Sequence, residues 1–200
     1  MANFARVPDV EVFLQEFVTD NVERSAIDAA LTAVTAAITN YCRQGLELVE
    51  DETITLDCIG GTRILLPELP VVEVSQVIED GETLVVDDDY KLGQHGIIHR
   101  IGAKWAAGIQ IIQVTYSHGY ATIPDDIVAV AARAASRAFQ AGRRAKENDG
   151  VPGIASKSLG DFSVAFQAEG AGGMGEGVMG ASAARLLLLS EKDVLDKYRI

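Results

Sequence analysis

The residues of this sequence best suited to catalysis surround His118, which follows Ser117 and precedes Gly119. A hydroxyl group and an imidazole held close together are the start of a nucleophilic hydrolase site. The Gly-x-Ser-x-Gly pattern of a nucleophile elbow is absent, however, and no acidic partner for the ring is evident. We therefore favour a polar histidine at a strand-to-helix turn, with its ring hydrogen-bonded to the backbone. A small hydrolase centred on His118 is kept as an alternative.

Three further patterns resemble ligand sites but lack a necessary part. His95 and His99 have the spacing of metal ligands only on a helix, whereas the glycines around them predict a turn and a strand. The three aspartates at 87–89 lack the alternation, central glycine and closing glutamate of a calcium loop. The glycines of residues 170–180 lack the Gly-Lys-Ser/Thr ending of a phosphate loop. The sequence therefore predicts no catalytic, cofactor-binding or metal-binding residues.

The composition is that of an ordinary globular domain with a surplus of acidic residues. The chain has 200 residues, of which 48% are hydrophobic and 23% charged, enough for one domain with a buried core. Its formal net charge of −12 disfavours tight binding of DNA phosphates and suits a protein that lies near DNA without gripping it. Two cysteines are too few for a disulfide framework, and no apolar run reaches membrane-spanning length.

Helical periodicity marks two long segments and a short one. Residues 9–18 predict a short helix. A longer helix, capped by Asn21 or Ser25, runs to about Gln44, and Gly45 ends it. A second long helix begins near Pro124, which the first helical turn tolerates, and runs to about residue 148. Its many alanines form a small-residue face, so we expect it to pack closely on the first long helix.

Residues 46–118 change from helical to strand patterns. Residues 53–58 alternate, Gly60-Gly61 predicts a turn and residues 62–66 return, which is typical of a β-hairpin. Further strands are predicted at 71–78, 83–86, 90–92, 96–100 and 109–116. We interpret the region as an antiparallel β-meander or small barrel inserted between the helices.

The predicted fold is therefore α+β, with a helical hairpin or bundle core at residues 1–149, a β-rich insert at about 46–118, and an extended C-terminal arm at 150–200. In the arm, the glycines of residues 170–180 form a tether and Ser182 or Ser190 begins a terminal helix. Such a helix has little partner within its own domain, so we expect it to dock on a neighbouring chain. The candidate partner-binding residues are Phe162, Val164, Leu186, Leu187, Leu189, Leu195 and Tyr198.

Basic residues collect on one face of the second long helix. Arg133, Arg137 and Arg144 lie roughly on that face. They form either a solvated face paired with local acids or an electrostatic interface with an adjacent subunit or partner protein. Both interpretations stay open in a chain with so much surplus negative charge, and contact with DNA is the weaker third.

The order of short motifs along residues 20–200 resembles the head–tail connector (adaptor, head-completion) proteins of tailed phages. The most specific stretches are Pro-Val-Val-Glu-Val at residues 70–74 and Tyr-Ser-His-Gly-Tyr at residues 116–120. The other motifs are residues 66–69, Asp80-Gly81 followed by Tyr90, Trp105, Val114-Thr115, Ile123-Pro124, residues 158–164 and residues 195–199.

This resemblance implies a structural protein of the virion neck that assembles in the host cytoplasm. It implies a homo-oligomeric ring of about twelve subunits stacked on the portal protein. The arm would reach the portal, and the domain below would receive the stopper or tail-completion protein. Genomic DNA would pass through the channel without specific binding, and neither a cofactor nor a membrane is involved.

Other functions stay open at the level of sequence. A stopper or tail terminator is a second phage role, although such proteins are usually β-dominated and this chain has two long helices. A β-rich binding module is another alternative, beside the hydrolase centred on His118. A stable monomer at high concentration would favour the binding module.

Overall fold

The computed structural model describes residues 2–147, 156–159, 162–165 and 186–200. In these residues the chain forms helices and antiparallel sheets, so the predicted α+β class is confirmed. The described strands close no barrel, and within the β-rich insert most neighbouring strands in the sheets are not consecutive in the chain. The chain divides into two compact units: unit 1 comprises Met1–Ala37 and Val128–Glu191, and unit 2 comprises Ile38–Ile127 and Lys192–Ile200.

The helices follow the predicted periodicity. They are α1 (Val7–Leu14), α2 (Asn21–Cys42), α3 (Asp125–Glu147) and α4 (Leu189–Leu195), with a short 3-10 turn at Asp196–Tyr198. Helix α1 is shorter than the predicted 9–18 because Gln15 adopts a left-handed conformation (φ 57°) that ends it. The division between the units falls within α2 and within α3.

The long helices bury apolar stripes and expose polar ones. In α2, Ile27, Leu31 and Val34 are fully buried at helical spacing. In α3, Ala131 and Ala134 are 0% and 1% exposed on the face where the sequence predicted close packing. Small side chains on such a face let neighbouring backbones approach closely. No helix in the described residues is both long and apolar enough to cross a membrane.

The strands of unit 2 form two antiparallel sheets. The larger has the order β1–β7–β3–β4, where β1 is Val49–Gly61, β3 is Val71–Glu79, β4 is Glu82–Thr83 and β7 is Trp105–His118. The smaller has the order β2–β6–β5, where β2 is Arg63–Leu65, β5 is Tyr90–Leu92 and β6 is Ile97–Arg100. A short 3-10 turn at Gln94–Gly96 joins β5 to β6.

The predicted hairpin of residues 53–66 is wrong. Strand β1 continues to Gly61 and pairs with β7, whereas β2 pairs with β6 in the other sheet. The pairing of Ile54 with Val114 and of Leu56 with Ile112 brings apolar residues onto one cluster. A hairpin between neighbouring segments would not pair Ile54 and Leu56 with these apolar residues of β7. The long-range pairing therefore buries more apolar surface.

The core of unit 2 lies on the sheets and includes Trp105, Tyr116, Val77 and Ile98, all nearly fully buried. Arg100 of β6 lies over the Trp105 ring, 5.7 Å from its centroid. Its Nε also lies 3.3 Å from a carboxylate oxygen of Glu79 on β3, so this arginine ties the two sheets together.

In unit 1, strands β8 (Ser156–Leu159) and β9 (Phe162–Ala165) form a separate antiparallel pair. Its register pairs Ser158 with Ser163. The predicted division of the chain at residue 150 falls outside the described residues and stays a prediction.

Candidate interaction surfaces

The end of the chain is held by contacts within unit 2. The Tyr41 hydroxyl donates to a carboxylate oxygen of Asp196 at 2.6 Å, and the Gln44 side chain donates to the Tyr198 carbonyl at 2.6 Å. The amide of Ile200 donates to the Cys42 carbonyl at 3.2 Å. The prediction that the terminal helix has little partner in its own domain is therefore wrong. An apolar helix after a tether can return to its own chain, and the sequence pattern does not distinguish the two cases.

Asp126, at the start of α3, is a hub for this C-terminal segment. One of its carboxylate oxygens accepts a hydrogen bond from the Tyr198 hydroxyl at 2.8 Å, and the other pairs with Lys197. Burial raises the pKa of Asp126, but hydrogen bonds from Lys197, Tyr198 and the Ile127 amide outweigh it and bring the pKa below its ordinary value. The ionised carboxylate thus stabilises the docked segment.

A nearly buried ion pair fixes the turn before α4 in unit 1. Arg137 donates to both carboxylate oxygens of Glu191, at 2.6 and 2.7 Å, and also to the Leu186 carbonyl at 3.2 Å. The Glu191 side chain is only 3% exposed. A bidentate arginine–carboxylate pair orients both partners strongly. Arg137 therefore has a partner in its own chain, which the sequence did not reveal.

The other predicted arginines have lighter contacts. Arg133 is exposed and lies 5.5 Å from the centroid of the Phe13 ring, and Arg144 is exposed beside a cleft that Leu14 also lines. Their role at an interface stays a prediction. Arg143, which was not a candidate, pairs with Glu16.

Of the predicted partner-binding leucines, some are buried and some are exposed. Leu187 and Leu195 are 7% and 0% exposed, so they pack within the chain. Leu189 is 75% exposed and Leu186 is half-buried. Phe162 and Val164 lie on β9, and their side chains are outside the described part of the structure.

Large apolar side chains that were not sequence candidates are also exposed. Phe17, between α1 and α2, is 90% exposed, and Val22, near the start of α2, is 72% exposed. At the far end of the β1–β7 pair, Ile59 is 98% exposed and Ile109 is 80% exposed. Strand β3 pairs only with residues 112–118 of β7, so this end of the ladder is two-stranded. In the sequence, the exposure of Ile59 is indicated only by its position beside Gly60-Gly61, and that pattern is also typical of an ordinary turn.

His118 is buried and its two ring nitrogens face two carboxylates. Its Nε2 lies 2.7 Å from Glu52, within hydrogen-bonding distance, and its Nδ1 lies 3.4 Å from Glu68, too long and poorly aligned for a good hydrogen bond. The prediction of a ring bonded to backbone is therefore wrong, since the partners are side chains that are distant in sequence. The Ser117 hydroxyl instead accepts the Asp51 amide at 3.1 Å. Neither ring nitrogen faces this hydroxyl, so the geometry does not build a serine–histidine pair.

The surroundings of His118 are tightly packed. Burial, followed by the charges of Glu52 and Glu68, raises the pKa of Tyr116 to about 12. Gly119 has a φ of 91°, and a Cβ there would lie 2.2 Å from the Glu47 carbonyl oxygen. The strand-to-helix turn therefore depends on glycine, and the cluster ties β1, β7 and the segment before β3 together.

No group of three or more potential metal ligands is found in the described residues. His95 lies in the 3-10 turn and His99 on β6, so they do not share a helix face. A cleft of about 410 Å³ in unit 2 is lined by Leu69, Tyr120 and Ile200, among others. The chain's own last residues thus form part of its wall.

Comparison with known proteins gives a family. The sequence model of the head completion protein family (HCP) matches residues 9–134, from α1 into α3. No curated protein matches the chain. Among solved structures, a chain of the "Neck of native GTA particle computed with C12 symmetry" is 15% identical, with a TM-score of 0.39. The alignment covers 99% of this chain and 93% of that one. A TM-score this low supports no argument, so the family match alone carries the assignment.

Proposed function

The chain belongs to the head completion protein family, and from this premise we propose that it is a head-to-tail adaptor that forms a ring beneath the portal. Membership confirms the resemblance to connector proteins, and the protein is a structural component of the virion neck. The proposed ring extends the DNA channel and offers a docking surface to the stopper or tail-completion protein. The match over residues 9–134 is the observation that carries this proposal.

Exposed apolar side chains support a role in assembly. Phe17, Ile59, Ile109 and Leu189 are each at least 75% exposed, and they lie in the segment between α1 and α2, on β1, on β7 and on α4, respectively. Single exposed apolar residues are ordinary, but large ones at the ends of elements are the kind that partner proteins cover. An adaptor in a stacked neck has several partners at once, which fits several such sites.

The charge of the chain supports passage of DNA without binding. The net charge of −12 repels phosphates, so DNA that slides through the proposed channel is not held by counterion release. The side chains around His118 do not form a serine–histidine pair. We therefore propose a purely mechanical role without catalysis. We propose no cofactor.

The structure refines the proposed contact with the portal. Leu187, Leu195 and Tyr198 hold the C-terminal segment on its own chain, whereas Leu189 is open to a partner. We therefore assign the portal contact first to Leu189 and to the half-buried Leu186. The buried Leu187 and Leu195 would contribute indirectly, by fixing the segment that carries Leu186 and Leu189.

Arg133 and Arg144 are the proposed electrostatic contacts with an adjacent subunit or the portal, since both are exposed on α3. Charge reversal of both (Arg133→Glu, Arg144→Glu) should lower ring or portal assembly while the free chain stays folded. Unchanged assembly of the double variant would count against this role.

Electron microscopy of particles that contain this protein tests the proposal. A ring of this chain directly below the portal, coaxial with the DNA channel, is the expected result. Density for the chain elsewhere in the neck, at the stopper or tail-terminator level, would refute the adaptor assignment but keep the family. The number of subunits, about twelve by the resemblance, would be counted in the same images.

A further inference from the structure

The two edges of the larger sheet in unit 2 differ greatly in length. At one edge lies β4, which has only 2 residues. At the other lies β1, which has 13 residues and, among the residues that the structure describes, pairs on one side only, with β7. Proteins usually protect sheet edges with short strands, lysines or prolines. Strand β1 contains no lysine, arginine or proline, and its acidic residues and register shifts lie outside residues 53–56.

One part of β1 is suited to accept another strand. Residues 52–56 pair with β7 in unbroken register, and the register shifts before Glu52 and after Leu56. Within this stretch, residues 53–56 carry no charge. Ile54 and Leu56 pack against the core, and the side chains of Thr53 and Thr55 are exposed. Residues 53–56 are therefore a regular and uncharged part of this edge. The more irregular part before it carries the acidic Glu50 and Asp51.

Strands β8 and β9 are a pair without a third strand. Each has 4 residues, one fewer than the stretch of β1 that pairs with β7 in unbroken register. In the described residues they pair only with each other. An isolated two-stranded hairpin is marginally stable in water, and a third strand or a packing partner stabilises it.

We propose that the β8–β9 hairpin of one copy of this chain adds to the β1 edge of the next copy, at residues 53–56. The inference rests on the proposed ring, because a closed ring lets every copy both donate a hairpin and accept one. Main-chain hydrogen bonds supply the affinity of such strand addition. The repulsion expected between two acidic copies is reduced there, because the four accepting residues carry no charge.

The chain is long enough to make the connection. Residues 148–155 lie between the end of α3 and β8, and these 8 residues span at most about 28 Å when extended. Residues 166–185 return from β9 to Leu186, and these 20 residues span at most about 70 Å. Connections of this length allow the hairpin to pair with another copy of the chain.

Cysteine cross-linking in assembled particles tests the contact. Thr55→Cys is combined with Ser158→Cys on β8 or with Ser163→Cys on β9, in a Cys58→Ser background. Cys42 stays in place, because burial raises its pKa to about 11 and keeps the thiol protonated and unreactive. After mild oxidation, one of the two pairs should convert the monomer band into dimers and higher multiples. The pair that reacts identifies the strand that lies against β1.

The matched control places the first cysteine at Thr83 on β4, the opposite edge of the same sheet. This control should give no multiples with either hairpin cysteine. Hydrogen exchange on the unmodified protein gives an independent measurement that does not depend on the variants. Amides within residues 53–56 should exchange at least about tenfold more slowly in the assembly than in the free chain.

The outcomes separate this inference from the proposed function. A neck ring that yields neither multiples nor slower exchange at residues 53–56 overturns the inference and leaves the adaptor intact. A cross-link that stays within one chain also overturns it, because the hairpin then covers its own edge. The absence of any ring below the portal overturns the proposed function itself.

Discussion

Replacing Leu195 by alanine should release the C-terminal segment, whereas the same change at Leu189 should not. Both residues lie on α4, but Leu195 is 0% exposed and Leu189 is 75% exposed. The pair therefore compares an identical loss of side chain at a buried and an exposed position of one short helix.

The expected magnitude follows from burial. A fully buried leucine changed to alanine usually costs 2–5 kcal/mol, so we expect about 3 kcal/mol at Leu195. The free energy lost cannot exceed the docking energy of the whole segment, because beyond that point the segment detaches. At the exposed Leu189 the change should stay within about 0.5 kcal/mol.

Hydrogen exchange of residues 186–200 is the appropriate assay, since Trp105 lies in the sheet core and does not report detachment of the end of the chain. A loss of about 3 kcal/mol corresponds to roughly 100-fold faster exchange in the segment. Exchange that is equally slow in both variants would refute the docked arrangement. Portal binding should depend on Leu189 directly. Leu189→Ala should therefore weaken portal binding although the stability of the free chain is unchanged.

Three more predictions concern the contacts around the docked segment and the histidine. Glu191→Gln should destabilise the free chain by about 2 kcal/mol in urea unfolding, because Arg137 loses its charged partner, and an unchanged midpoint would contradict the role of the pair. The folded-state pKa of Asp126 is depressed, so its contribution is present above the unfolded pKa and is lost as pH falls through the folded value. Asp126→Asn should therefore lower stability at neutral pH and flatten the stability curve below about pH 4. A variant whose acid limb matches the parent would count against this. His118→Ala should cost about 3 kcal/mol by thermal or urea unfolding, since it leaves a cavity beside Glu52. If the His118→Ala variant kept full stability but lost a catalytic activity, the result would instead favour the hydrolase alternative.

Much of the fold could be predicted because its signals are local. The helical period of α3 and Pro124 at its start gave bounds close to those observed, and the alternation of residues 71–78 matched β3. The turn at Asp80-Gly81, where φ is 47° and 87°, follows from residues that tolerate left-handed backbone. Each of these features depends on a few neighbouring residues, which a sequence displays directly.

The contact surfaces were less predictable, since exposure is a property of the packed chain. Four leucines and one tyrosine near the end of the chain were equal candidates by sequence. Packing made Leu195 a core residue and left Leu189 exposed. The arginine face was recognised from helical spacing, but the pairing of Arg137 with Glu191 joins residues 54 apart. No local pattern encodes such a distance.

Residue types and their spacing were enough to predict the α+β class, the two long helices, most strand positions and the resemblance to connector proteins, and composition gave the acidic charge. The pairing of β1 with β7 rather than with β2, and the position of His118 between two glutamates, became visible only in the folded chain. The same holds for the return of the C-terminal segment to its own chain. The reason is that period, turn residues and composition are read within a few residues along the chain. The choice among distant partners depends instead on which arrangement buries the most apolar surface and leaves the fewest charges unpaired.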